Sequence, residues 1–165
     1  MATYHHGDLR SAVLAAASDL IEQEGLAGLS VREAARRAGV SHNAPYRHFP
    51  DRESLLAALA AQGFEQLGEA LEGRTGRELG EAYLRFALAH PQRFRLMFAA
   101  RPAPATYERF VQAFSATGAD ARLAGAAAWS LVHGLACLAL DRQLPGDEEF
   151  VGKVLGAMRF AQRSA

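Results

Sequence analysis

Between Ser30 and Arg52 the chain reads SVREAARRAGVSHNAPYRHFPDR, and side chains with chemistry to offer crowd together there. Five arginines stand against two carboxylates, Glu33 and Asp51, with His42 and His48 in addition. The planar fork of arginine meets two acceptors at once, on a phosphate or on the O6/N7 edge of guanine, and asparagine does the same for the N6/N7 edge of adenine. His42, Asn43 and Arg47 are therefore candidates for base edges, with Ala44 between them. Ser30 and Ser41 sit where helices would begin and offer hydroxyls and backbone N–H groups to phosphate. A set of donors with few acceptors suits a polyanion rather than catalysis. No HExxH, nucleophile elbow or Gly-rich phosphate loop occurs in the sequence, so no catalytic residue is expected. His5, His6, His42, His48 and Asp8 lack the spacing of a metal site, and neither a metal nor another cofactor is expected.

Two helices about a tight turn would position these donors. Ser30-x-x-Glu33 reads as a capping box, Ser30 accepting from the N–H of Glu33 while Glu33 reaches back to Ser30. Val31, Ala34, Ala35 and Ala38 then share one helical face, leaving Arg32, Arg36 and Arg37 outside it. Arg36 and Arg37 read as a solvated face. Gly39 suits the left-handed conformation that ends a helix. Val40 returns to the core, Ser41 can cap the next helix, and Phe49 anchors its end. Such a helix-turn-helix presents its second helix to the major groove of DNA. Pro45 disturbs that helix, because it removes an N–H and disfavours α geometry at Ala44. A distorted or late first turn is expected there. Upstream, Asp8 caps a helix carrying Leu9, Val13, Ala16, Ala17, Leu20 and Ile21, and Gly25 ends it.

At 165 residues and zero formal net charge, the chain is long enough to bury a core without disulfide or metal, and its basic window hides within a neutral whole. Lys153 is the one lysine and Cys137 the one cysteine, so no disulfide framework exists. The start, MATYHHGDLR, lacks the apolar core of a signal peptide, and the expected location is cytoplasmic. The apolar run Leu123–Leu140 raises the question of a membrane span, but charges flank it and Ser130 and His133 interrupt it. A helix buried on nearly all sides of a soluble bundle is the expectation.

Past Pro50, Asp51 caps a connecting helix to about Leu71. Further helices follow over 76–89, from Pro91, through Tyr107–Phe114, from Asp120 to about Gln143, and from Asp147 to about Gln162. No segment alternates with period two. The expected fold is all-α with about nine helices: a DNA-binding head over 1–52 and a regulatory and dimerisation domain over 53–165.

LSVREAARRAGVS followed by YRHFPDRESLL resembles the DNA-binding head of the tetracycline-repressor (TetR) family of bacterial transcriptional regulators. YHHGDLR is similar to the opening of one branch of that family. AWSLVHGLA over 128–136 and HPQRFRLMF over 90–98 resemble a C-terminal domain named for its Trp, His and Gly. The resemblance implies that Tyr46, His48, Arg32 and Arg52 contact phosphates of double-stranded operator DNA. It also implies an effector pocket for an apolar or amphipathic small molecule. Tyr83, Phe86, Phe94, Met97 and Phe98 are candidates for its lining, as are Tyr107, Phe110, Trp129 and His133, although for any single one of them ordinary core packing is the first reading. Ala124, Ala127, Leu131 and Leu138, with Val151, Val154, Leu155 and Met158, would form the surface of a homodimer. A dimeric regulator with no effector is the alternative, because the body is short for the family.

Overall fold

Capping and stop signals become helices close to where the sequence places them. The computed structural model describes residues 6–100, 104–114 and 120–157, and among these it has eight α-helices, two 3-10 turns and no strand. The difference from nine helices lies at Pro45: residues Ala44–Arg47 form a 3-10 turn where a full helix was expected. Helix α1 spans His6–Glu24, so Asp8 lies inside it and does not cap it. Gly25, at φ 75°, ends α1, and its N–H donates to Ile21 O at 2.9 Å. A 3-10 turn over Leu26–Gly28 leads into α2, Val31–Arg37. Then come α3 (Arg52–Leu71), α4 (Gly76–Ala89), α5 (Pro91–Ala100), α6 (Pro104–Phe114), α7 (Ala121–Leu140) and α8 (Glu148–Ala157). The expected continuation of the last helix to Gln162 lies outside the described residues.

Two compact units result, and the first is larger than residues 1–52. It takes the chain through Gly63 and adds residues 92–100 of α5; the second holds 64–91, 104–114 and 120–157. In the first unit Val13, Ala17, Leu20 and Ile21 of α1 meet Val31 and Ala34 of α2, Phe49, Leu55 and Leu59 of α3, and Leu96 of α5. Backbone polarity explains why α5 belongs here. Pro91 has no N–H, so Gln92 and Arg93 carry the first amides of α5 that need an acceptor. Both donate to the Glu22 carboxylate of α1, at 3.1 and 3.0 Å. The buried Arg93 side chain donates to Ser18 Oγ. Close approach of α3 and α5 needs Gly63, where a Cβ would stand 2.6 Å from Met97 Sδ.

In the second unit α7 packs on α4 and α6, and α8 packs on α4. Asp120 caps α7, its Oδ1 accepting from the N–H groups of Arg122 at 3.0 Å and Leu123 at 3.4 Å. By length and composition α7 could cross a membrane, with a mean hydropathy of 1.7. One face, Gly125, Ala128, Val132, Leu135, Ala136 and Ala139, is buried within the unit. The helix is not covered on nearly all sides, however. Leu123, Leu131 and Leu138 are 70%, 45% and 44% exposed and, with Ala127, form a stripe four and seven residues apart along the opposite face.

Gly125 is where α6 comes nearest, since a Cβ there would lie 2.7 Å from Val111 N and 2.8 Å from its Cα. Backbone cannot yield as a flexible side chain can. Gly125→Ala should therefore lower stability by about 1–3 kcal/mol despite alanine's better helix propensity, measured by urea unfolding. A gain in stability would show that α6 and α7 are not in backbone contact.

Candidate nucleic-acid interface

Helix α2 is capped at both ends, by a side chain at its start and by backbone groups at its close. Ser30 Oγ accepts from Glu33 N at 3.0 Å, the first half of the capping box. The reciprocal bond expected from Glu33 does not form, because its carboxylate is taken by arginines: Arg36 donates to it at 2.6 and 2.8 Å and Arg37 at 3.4 Å. The Arg36 bond, foremost, holds the Glu33 pKa down at about 2. At the other end Gly39, φ 68°, allows a Schellman cap. Val40 N–H donates to Ala35 O at 3.1 Å and Gly39 N–H to Arg36 O at 3.2 Å.

Residues 41–49 carry the expected distortion. Ser41 does not cap by its side chain; its carbonyl accepts from Ala44 N at 3.0 Å, and the 3-10 turn begins behind Asn43, which makes no side-chain cap bond. Pro45 is buried, and its carbonyl accepts from both His48 N (2.9 Å) and Phe49 N (2.8 Å). Phe49, 1% exposed, lies under the Arg10 guanidinium at 5.8 Å from the ring centroid. Two inward residues thus pin the segment from below. His42, Asn43, Tyr46, Arg47 and His48 are left exposed, with Ala44 half-buried. The Tyr46 ring, 45% exposed, does not pack into the head.

The arginines divide by what already holds them. Arg37 is not part of a solvated face: it donates to Gln23 Oε1 at 2.7 Å and pairs with Glu24, tying α2 to the end of α1. Nothing local in the sequence signals that role, because its partners are 13 and 14 residues away. Arg52, expected on phosphate, spends its Nε on Leu29 O at 3.0 Å and one terminal nitrogen on Leu26 O at 2.6 Å. Those two bonds hold the turn that delivers Ser30. By contrast Arg32, His42, Asn43, Tyr46 and Arg47 make no side-chain hydrogen bond or ion pair with the described residues. A cleft of about 470 Å³, lined by Ser30, Arg32, Glu33, Arg36, Ser41 and His42, opens beside them. Asp51 completes the frame by capping α3, accepting from Ser54 N at 2.7 Å, and that bond lowers its pKa.

The residues expected to line an effector pocket fall in different units. Phe94, Met97 and Phe98 belong to the first, where Phe94 and Met97 are buried and Phe94 stacks near Phe98 at 4.9 Å. Tyr83, Phe86, Tyr107, Phe110, Trp129 and His133 belong to the second. There they make a hydrogen-bonded interior. Trp129 Nε1 donates to Tyr83 Oη at 3.3 Å, and Tyr83 Oη lies 2.8 Å from His133 Nδ1. An indole N–H can only donate, so Tyr83 Oη accepts from Trp129. His133 Nε2 lies 3.7 Å from Cys137 Sγ. Burial pushes the Tyr83 pKa up and the His133 pKa down, which keeps both neutral. An edge contact of Tyr83 with Phe110 at 5.8 Å and a tilted contact of Tyr107 with Trp129 at 6.1 Å complete a packed cluster.

Among the residues expected at a dimer surface, Ala127, Leu131 and Leu138 are exposed and Ala124 and Val154 half-buried. Val151 and Leu155 turn inward instead, at 6% and 4% exposure; Leu155 Cδ2 would stand 3.1 Å from a Cβ at Gly80. Met158 lies outside the described residues.

Two family models match the chain: bacterial regulatory proteins, tetR family, over residues 13–59, and a tetracyclin repressor-like C-terminal domain over 77–157. A protein of unknown function from Rhodococcus sp. RHA1 is 37% identical, with 95% of this chain and 94% of that one covered and a TM-score of 0.75. A tetR-family transcriptional regulator from Streptomyces coelicolor is 22% identical, with coverages of 93% and 80% and a TM-score of 0.74. The multidrug binding protein EbrR, solved with imidazole, is 25% identical, with coverages of 94% and 96% and a TM-score of 0.60. No curated protein matches the sequence.

The Glu33 cluster makes the head sensitive to acid. A carboxylate held at about 2 in the fold titrates near 4.3 when unfolded, so it stabilises fully above the unfolded value and loses that contribution as pH falls through about 2. Urea midpoints should fall from pH 5 to pH 2, and Glu33→Gln should flatten part of that fall. An unaltered pH profile in the variant would mean the pairs with Arg36 and Arg37 do not persist in solution.

Proposed function

The chain belongs to the tetR family of bacterial regulatory proteins, and from that premise we propose that it works as a homodimeric, effector-responsive repressor. It is a DNA-binding transcriptional regulator built on a helix-turn-helix, not an enzyme. The observation that carries the finer reading is the uncommitted donor set: Arg32, His42, Asn43, Tyr46 and Arg47 face outward without protein partners, whereas Arg36, Arg37 and Arg52 are already engaged. Asn43 and Arg47 read base edges; Tyr46, His48 and Arg32, with Ser30 and Ser41, hold phosphates. Two such segments would occupy successive major grooves about 34–36 Å apart on a near-palindromic operator. The protein acts in the cytoplasm, where its operator lies.

The exposed stripe of α7 supports the dimer. A surface with leucines at 70%, 45% and 44% exposure along one helix face is costly to leave in water. Two-fold pairing of that face with its copy, flanked by Val154 of α8, would cover it. An effector loosens the operator complex only through its differential affinity for the two states, and a 100-fold loss of DNA affinity needs about 2.7 kcal/mol of coupling. The similarity to EbrR, a multidrug binding protein, is in keeping with an effector. The second reading, a dimeric regulator with no effector, draws on the Tyr83–Trp129–His133 cluster, whose members, expected to line a pocket, hydrogen-bond to one another.

Recovery of genomic fragments bound by the purified protein tests the reading. Arg47→Ala should weaken the recovered site by about 1–3 kcal/mol, concentrated at one base position per half-site, while Arg32→Ala should weaken all sequences alike and lower the salt slope by about one per half-site. The reverse pattern would exchange the two roles. Leu131→Glu should convert the dimer to monomer in sedimentation and abolish tight operator binding; a variant that stays dimeric would remove α7 from the interface.

A further inference from the structure

On the outer side of α4, within the second unit, lies a cavity of about 530 Å³ that the packed aromatic cluster does not touch. We infer that it is a binding site for a small amphipathic carboxylate, its acid group on Arg85 and its tail along Leu84, Leu88 and Val151. A volume in that range suits a small ligand, and the lining combines an aliphatic floor with four charged side chains, Arg77, Glu81, Arg85 and Glu148.

The charges decide the class of ligand. Arg77 is taken by Glu81, to which its Nε donates at 2.5 Å. Glu148 sits in the first turn of α8, where unpaired backbone N–H groups balance a carboxylate. Arg85 is exposed and makes no hydrogen bond or ion pair with the described residues. Of the two lining arginines it is the one with no carboxylate set against it among the described residues. Two glycines frame the space. At Gly152 a Cβ would stand 2.9 Å from an Arg77 terminal nitrogen, so the bare backbone lets that guanidinium lie across toward α8. At Gly146 a Cβ would stand 3.3 Å from Leu88 Cδ2, so the loop before α8 closes down on the aliphatic floor. The site names a chemical class for the effector and in that respect rests on the regulator reading, though binding itself does not require it.

Titration of the full chain with decanoate, followed by calorimetry and methyl NMR, tests the site. Decanoate should bind saturably and shift the methyls of Leu84, Leu88 and Val151. Decanol, with the same tail and no acid, should bind about tenfold or more weakly, and Arg85→Gln should weaken decanoate by about tenfold to a hundredfold, the range expected for a charge-assisted hydrogen bond. Because Arg85 is exposed, Arg85→Gln should keep the wild-type melting temperature. No saturable binding, equal binding of decanol, an unaffected Arg85→Gln variant, or shifts confined to other methyls would each overturn the assignment. Operator binding by the same preparation is measured separately. Intact operator binding without decanoate binding sinks this site alone, and absent operator binding sinks the regulator reading alone.

Discussion

The exposed segment 42–48 depends on two inward side chains four residues apart. Pro45 and Phe49 are buried against the head, and the Pro45 carbonyl accepts two amides, from His48 and Phe49. Proline fixes its own φ and gives up a donor, so the segment cannot relax into a regular α-helix with Ser41 as its cap. What forms is a short 3-10 turn, a geometry that holds only for brief stretches. Its brevity costs little because the stability comes from burial of Phe49 and from the Schellman cap at Gly39, not from helix propensity. The exposed residues between the anchors are left with no work inside the protein.

A neutral chain carries a basic face by assigning its arginines to different tasks. Arg37 holds α2 to α1, Arg52 holds the turn before α2, and Arg36 neutralises Glu33. Each of these spends positive charge on structure. Arg32 and Arg47 are spent on no hydrogen bond or ion pair with the described residues. The same economy of backbone groups brings α5 into the first unit, through the Glu22 carboxylate that receives two amides where Pro91 has none to give.

The sequence made local features legible and distant ones not. Ser30 as a cap, Gly39 as a stop, Asp51 and Asp120 as caps, and the disturbance at Pro45 all follow from interactions within a few residues, and all appear in the fold. The reciprocal Glu33 bond failed because two arginines on the same helix compete better for a carboxylate than one backbone amide does. The bonds of Arg52 to Leu29 and Leu26 were not legible, because those acceptors lie 23 and 26 residues away and no local pattern announces them. In the body, composition alone could not separate lining from core. Tyr83, Trp129 and His133 satisfy one another's polar atoms, whereas the open space lies on the other side of α4, beside residues whose types are ordinary. The face of α7 was similarly hidden, since an Ala- and Leu-rich run looks alike whether buried all round or on one side.

Methylation protection of guanine N7 on a DNA fragment recovered with the purified protein tests the central claim most directly. N7 faces the major groove, where the exposed segment 42–48 is placed. The account predicts two protected patches on one face of the duplex, a helical turn apart, both lost when Arg47 is replaced by alanine. Protection that persists without Arg47, or binding that leaves every N7 open, would contradict it.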